Sequence, residues 1–371
     1  MKALRATIAT RSLIYLDNFR YNIMVTRKKA GPHPKICVPV KADAYGHGAV
    51  PLALCALEAG AEYLGVATVP EGLELRAAGI SAPILLFTQA LPEELPDLIS
   101  GDLSPFISDL EFIEIIGRET EQANKNLNIH LKVDTGMGRN GCRPEDAALL
   151  AEKIVSQKRL NLSGVATHLS VSDSSDADDI NYTKEQLRRF QEAVASIKKA
   201  DIDPGLVHAA NSGGLVLHDD SYFDMVRPGI FLYGYSPSKL LISKPVMELR
   251  SKVVAVKKVR KGEAVSYGRT WIAEEDTNIG IIPVGYADGL NRLLSNKHTV
   301  SIGGKAYPLA GRICMDQCMV NLGPEAPVQR WDEVIFFGPE FLNAGDIAEK
   351  LKTIPYEVTC GINKRVPRVY I

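Results

Sequence analysis

Nothing in this 371-residue chain approaches the uninterrupted apolar run of ~18 residues that crosses a membrane, so no spanning helix is expected. Excess charge of one sign is lacking too. The formal net charge is -1 at pH 7, which leaves no electrostatic footprint for nucleic acid or a membrane surface and points to a small-molecule substrate. No two of the six cysteines form C-x-x-C, and several stand in apolar runs, so reduced buried thiols are expected rather than a disulfide framework. Cys314 and Cys318 are four apart, but no second pair or histidine follows at zinc-finger spacing, and no metal is expected. The opening MKALRATIATRSLIYLDNF lacks the apolar stretch of a secretory leader, because Arg5 and Arg11 interrupt it; a cytoplasmic location is the expectation. Internal repeats, low-complexity tracts and long linkers are also missing.

What is present is alternation. From about Lys35 to Gly234, short β-rich runs alternate with amphipathic segments such as Val50 to Ala59 and Val69 to Ala78. Strands are expected at Ile36 to Val40, Tyr63 to Val66, Ile84 to Phe87, Leu103 to Ile107, Ile129 to Val133, Leu162 to Thr167, Leu206 to Ala209 and Phe223 to Val226. Eight strands interleaved with helices predict a (β/α)8 TIM-like barrel. A doubly wound open sheet is the competitor, but no G-x-G-x-x-G follows the first strand. Ser12 to Leu16 is one strand more than the barrel needs and is expected to pair outside it, with the second domain. After about Ser236, alternating or β-branched runs separated by Gly, Pro and Asn turns predict a mainly-β domain with one short helix from Asn343 to Leu351. The expected division is therefore 1–236 and 237–371.

Functional side chains of such a barrel stand at the carboxyl ends of its strands. Those ends carry Lys41 after ICVPV, Arg139 in KVDTGMGR, His168 closing GVATH, Asn211 and Ser212 after VHAA, and Arg227 in MVRPG. Any one of these would pass as an ordinary solvated loop residue. Five at successive ends suggest one site. The last two strands often build a phosphate site, and here they carry Asn211-Ser212-Gly213-Gly214 and RPGIFLYG. A lysine and a phosphate pocket in one barrel mouth suggest pyridoxal 5'-phosphate bound as a Schiff base on Lys41.

The motifs VPVKADAYGHG, HLKVDTGMGRNG, GVATHLS, HAANSGG, VRPGIFLYG, VSYGRTW, IPVGYADG, AGRICMDQ and TIPYEVTCGINKRVPRVY run through nearly the whole chain. It resembles the bacterial alanine racemase family, fold-type III pyridoxal-phosphate enzymes with a barrel and a C-terminal β domain. The resemblance implies interconversion of L- and D-alanine, supplying D-alanine for peptidoglycan. By the same resemblance Lys41 bears the cofactor and serves as base on the D-alanine face, and Tyr267 is the base on the L-alanine face. His168 would hydrogen-bond that tyrosine and contact Arg227, whose guanidinium would face the pyridine nitrogen.

The phosphate would be held by Tyr45, Ser212, the backbone of Gly229 and Ile230, and Tyr356. Asn211 is placed with the cofactor-binding residues. Arg139 would meet the cofactor's phenolic oxygen and the substrate carboxylate; the Met315 amide and Tyr286 would complete the carboxylate site and narrow the entrance. In the family the residues matching Tyr267, Tyr286 and Met315 reach the barrel of the other subunit, which implies a head-to-tail homodimer with shared sites. Alternation places Lys132 inside the barrel, where the resemblance implies a carbamylated lysine and the alternative is an ion pair with Asp134. His47 has only a turn role. Leu169-Ser170-Val171-Ser172 and Arg269 depart from the family pattern at the entrance. A serine or broad-specificity racemase on the same scaffold is an alternative, and so is a non-catalytic carrier of the cofactor, although such carriers lack the β domain.

Overall fold

The computed structural model describes residues 9–325 and 327–371. The first eight residues, on which the expectation about a leader partly rests, lie outside them. Two compact units are present among the described residues: Phe19–Ala44 with Gly48–Ser243, and residues 9–18 with Tyr45–His47 and Lys244–Ile371. Among the described residues no helix is long and apolar enough to cross a membrane.

The first unit is the expected barrel. Its strands are β2 (Lys35–Pro39), β3 (Tyr63–Val66), β4 (Ile84–Leu86), β5 (Leu103–Ile107), β6 (Leu127–Lys132), β7 (Leu160–Ala166), β8 (Leu206–His208) and β9 (Met225–Val226). They form one parallel sheet in the order β8-β7-β6-β5-β4-β3-β2-β9. The ring is drawn shut by Asp224 N–H to Val207 O and Arg227 N–H to Ala210 O, each 2.9 Å. β9 is shorter than the sequence predicts because Phe223 has φ 46, a left-handed conformation that keeps the strand from starting there. Strands covered on both faces read as continuous apolar runs, and β4 and β5 are buried throughout. Cys37, Leu85, Phe106, Ala166 and Met225, from five different strands, pack together as a buried cluster. Burying the Leu85, Phe106 and Met225 side chains is worth roughly 1.5–3 kcal/mol each.

The outer helices start where the sequence supplies caps. Thr68 and Glu71 form a capping box on Val69–Ala77, and Asp109 accepts from Phe112 N–H at the head of Leu110–Gln122. The longest helix, Ala177–Lys199, is capped by Asp176 and turns Gln186, Leu187, Phe190, Ala193 and Val194 inward.

The second unit is mainly β. One sheet has the order β16-β15-β18-β10-β1-β19 and another the order β11-β14-β17, while β12 pairs with β13. The ranges are β1 (Arg11–Ile14), β10 (Met247–Lys252), β11 (Ala255–Val259), β12 (Ala264–Val265), β13 (Trp271–Ile272), β14 (Thr277–Ile282), β15 (Thr299–Ile302), β16 (Lys305–Pro308), β17 (Cys318–Gly323), β18 (Glu333–Phe337) and β19 (Arg368–Tyr370). The early strand β1 lies antiparallel to β10 and parallel to β19. Asn343 caps the helix Ala344–Leu351 instead of belonging to it. The cysteines are less uniform than the sequence suggests: four are buried, Cys314 is half-buried, and Cys360, at the end of the helix Pro355–Cys360, is exposed.

Candidate active site

Strand β2 delivers Lys41 directly into an unusual turn. Over Lys41–Gly46 the backbone makes one helical turn that winds left-handed, with φ 52, 54, 52 and 54 at Ala42, Asp43, Ala44 and Tyr45. Each non-glycine residue there costs roughly 1–2 kcal/mol, so the turn persists only because its polar groups are held. Glu71 accepts from Ala42 N–H at 2.8 Å, Val40 O from Ala44 N–H at 2.8 Å, and Asp43 from Ala49 N–H at 2.7 Å. Glu71 also accepts from Ala67 N–H and Thr68 N–H, so one carboxylate ties the turn after β2 to the loop after β3.

At the end of β6, Lys132 is buried and its Nζ donates to Val133 O at 3.1 Å. Burial first, then the charge of Arg227, pushes its pKa down to about 7, against the opposing pull of Asp134. The Asp134 carboxylate is engaged by backbone, accepting from Gly136, Met137, Gly138 and Arg139 N–H at 2.8–3.2 Å. Burial would raise its pKa, but those amides and Lys132 hold it below the usual range. This nest fixes the loop that presents the exposed Arg139.

Beyond the end of β7 come Thr167 and the half-buried His168. Burial first, then Arg227, Lys132, Arg139 and Lys41, press the His168 imidazole well below its ordinary pKa, so it is neutral. Every charge acting on it in that set is positive. Even without Lys132, which burial leaves only partly charged near neutral pH, the cations Lys41, Arg139 and Arg227 converging on one barrel mouth form a site for an anion.

Arg227, beyond β9, is 5% exposed and donates to His208 Nδ1 at 2.5 Å, Thr167 O at 2.7 Å and Ala209 O at 3.2 Å. Burial lowers its pKa to about 10, which still leaves it protonated at neutral pH. Because a guanidinium only donates, His208 Nδ1 accepts and His208 Nε2–H donates to His130 Nδ1, 2.8 Å away. Both imidazoles are therefore neutral, as burial and the Arg227 charge also require. The sequence reading missed His208 and His130. Their signal was an inward register on β8 and β6, legible only with the strand bounds in hand. The histidine bonded to Arg227 is His208; His168 feels Arg227 through charge.

Beyond β8, Asn211 works as a cap: its Oδ1 accepts from Gly214 N–H and Ser172 Oγ, and its Nδ2 donates to Leu169 O. Ser212 Oγ accepts from Gly229 and Phe231 N–H at 2.9 and 3.2 Å, which folds RPGIF around the start of the helix Ser212–Leu217. A Cβ on Gly213 would come within 2.6 Å of Ser172 and Asp173, so only glycine fits there.

The remaining predicted residues belong to the second unit. The rings of Tyr45 and Tyr356 pack at a tilt, with centroids 5.4 Å apart and 49° between their planes. Gly46 lies so close to Thr359 O that a Cβ would be 2.2 Å from it. Tyr286 and Met315 are locked together: Tyr286 N–H donates to Cys314 O and Ala287 N–H to Met315 O, each 3.0 Å. Arg365 clamps this corner, with Nε and Nη2 on the Asp288 carboxylate at 2.7 and 3.1 Å and Nη2 on Asp316 at 2.8 Å. Tyr267 opens a short 3-10 turn beside Gly268, which faces the Arg312 guanidinium. All three presented side chains are open on their own chain, Tyr267 at 70%, Met315 at 53% and Tyr286 at 44% exposure.

A barrel whose strand ends gather two lysines, two arginines and neutral histidines, in a chain with a second, β unit that displays two tyrosines, is a barrel enzyme equipped to bind an anionic small molecule. The profile of the alanine racemase N-terminal domain matches residues 14–237, and that of the C-terminal domain matches residues 246–370. A Treponema denticola alanine racemase is 50% identical over 98% of both chains, and one from Treponema pallidum is 44% identical over 97% of this chain and 99% of its own. The crystal structure of an alanine racemase from D-cycloserine-producing Streptomyces lavendulae superposes with TM-score 0.92 at 35% identity, covering 99% of this chain and 98% of its own. The chain belongs to the alanine racemase family and is an isomerase of the racemase class.

Proposed function

We propose that the protein interconverts L- and D-alanine with pyridoxal 5'-phosphate bound at Lys41, and that it supplies D-alanine for peptidoglycan in the cytoplasm. The observation that carries this reading is the strand-end set of Lys41, Arg139 and Arg227, whose positive charges act on the neutral His168. Such a donor set suits a cofactor phosphate and a substrate carboxylate. The bound cofactor supplies an electron sink that acidifies the hydrogen on the substrate's Cα.

The chain's own residues then have distinct tasks. Lys41 holds the cofactor and exchanges the α-proton on the D-alanine face, while Tyr267 does so on the opposite face. Arg227, already held by His208 and two carbonyls, donates to the pyridine nitrogen without surrendering its proton, which keeps that nitrogen neutral. Ser212, Gly229, Ile230, Tyr45 and Tyr356 hold the phosphate, and Asn211 caps the helix that begins at Ser212. Arg139, the Met315 amide and Tyr286 hold and screen the substrate carboxylate. His168 hydrogen-bonds the phenol of Tyr267. Lys132 carries a carbamate that fixes Arg139.

The exposure of Tyr267, Tyr286 and Met315 on their own chain supports a head-to-tail homodimer in which they complete the partner's site. The cofactor-loaded protein should equilibrate either alanine enantiomer and favour alanine over serine and lysine. Lys41→Ala and Tyr267→Phe should each cost ~10²–10⁴-fold in racemisation. Failure of the loaded wild type to racemise alanine, or full activity in Lys41→Ala, would refute the assignment.

A further inference from the structure

The helix Ala177–Lys199 sends one polar side chain into the barrel unit behind the ends of β6 and β7. Gln186 is fully buried. Its Oε1 accepts from Ser170 N–H and from Ser170 Oγ, each 3.0 Å, and its Nε2 donates to His168 O at 3.2 Å and Thr135 Oγ1 at 3.5 Å. A backbone N–H can only donate, so the Ser170 contact fixes which end of the amide is oxygen. Thr135 Oγ1 in turn meets Thr167 Oγ1 at 2.8 Å, and Thr167 O accepts from Arg227. One amide therefore grips the backbone immediately after the His168 side chain, by the carbonyl of His168 itself and the N–H two residues on. It also ties that strand end to the loop after Lys132.

We propose that Gln186 is a positioning residue for proton transfer on the Tyr267 face: it fixes the height and direction of His168 at the end of β7. The proposal rests on the two-base reading above. A glutamine is needed because donor and acceptor must act at once. A glutamate keeps the shape and the acceptor for Ser170 but turns a carboxylate oxygen toward His168 O. A methionine keeps the volume and removes both functions.

The test uses the cofactor-loaded Gln186→Glu and Gln186→Met enzymes, with Tyr267→Phe as reference. The two enantiomers are equal in free energy, so kcat/KM must fall equally in both directions, and hydrogen exchange in D2O is what separates the faces. The expected result is a racemisation kcat down by roughly 10²-fold, with KM for alanine and the cofactor absorption spectrum unchanged. D-Alanine should still exchange its α-hydrogen for deuterium without inversion, while exchange from L-alanine falls in step with racemisation. Equal loss of exchange from both enantiomers, no loss in either variant, or failure of both variants to fold would overturn the proposal. If Tyr267→Phe itself shows no such asymmetry, the two-base reading is at fault; if Tyr267→Phe shows it and the Gln186 variants do not, the role of Gln186 alone is.

Discussion

Lys132 shows how one residue's surroundings decide its chemistry. Its amine is buried next to the charge of Arg227, and its pKa is pushed down to about 7, so near neutral pH a large share is uncharged. An uncharged amine attacks carbon dioxide: an N–C bond forms, a proton leaves, and the product is an anion where Arg227 and Arg139 repel a cation. The alternative of an ion pair with Asp134 is weakened because that carboxylate already serves four amides. A planar carboxyl group is expected on Lys132 Nζ in electron density, with activity falling in CO2-stripped buffer and returning with bicarbonate. A bare amine together with activity indifferent to bicarbonate would remove the carbamate.

At the scale of elements, the left-handed turn after β2 is the costliest piece of backbone near the site. Four successive L-residues hold φ near 52–54, and Glu71, Val40 and Asp43 supply the hydrogen bonds that keep them there. Ala42 is exposed and its bond to Glu71 comes from the backbone N–H, so Ala42→Gly keeps that bond and relieves the conformational penalty. After subtracting the larger unfolded-state freedom of glycine, a net stabilisation of about 0.5–1 kcal/mol is expected, read from the unfolding midpoint. A destabilised variant would show that the turn is not left-handed in solution. The same element sets Lys41 at the barrel mouth, so rigidity here serves the site as well as the fold.

For the whole molecule, buried neutral histidines tie stability to pH. Burial lowers the His298 pKa to about 4, and His130 is lowered to about 3. In the unfolded chain these groups titrate near 6.5, so between pH 6.5 and about 4 the unfolded state binds more protons. Stability is then full above pH 6.5 and declines as the pH falls through that window, above the range where carboxylates contribute. For His298, the difference between pH 7 and pH 5 is about 2 kcal/mol. Urea midpoints should fall over this range in the wild type and fall less in His298→Gln, whose amide can still reach Phe336 O, the partner of His298 Nε2 at 2.8 Å. An unchanged slope in the variant would exclude His298 as a source.

The order of strands and helices, the texture change near Ser236 and the strand-end positions of Lys41, His168 and Arg227 were all legible in the sequence. They follow from local periodicity and from the rule that links barrel strand ends to function. Resemblance, carried by contiguous motifs, supplied the family. What only the tertiary structure decided is which groups meet. The partnership of Arg227 with His208 and His130, the reach of Gln186 to the backbone of His168 and Ser170, and the tie from Glu71 to the turn after β2 join residues 19 to 97 positions apart for the arginine and its two histidines, 18 and 16 apart for the glutamine and 29 apart for the glutamate. The left-handed turn was hidden as well, because Ala-Asp-Ala-Tyr has no local preference for it. Such a conformation is imposed by neighbouring elements whose hydrogen bonds outweigh its cost, and no local pattern encodes them.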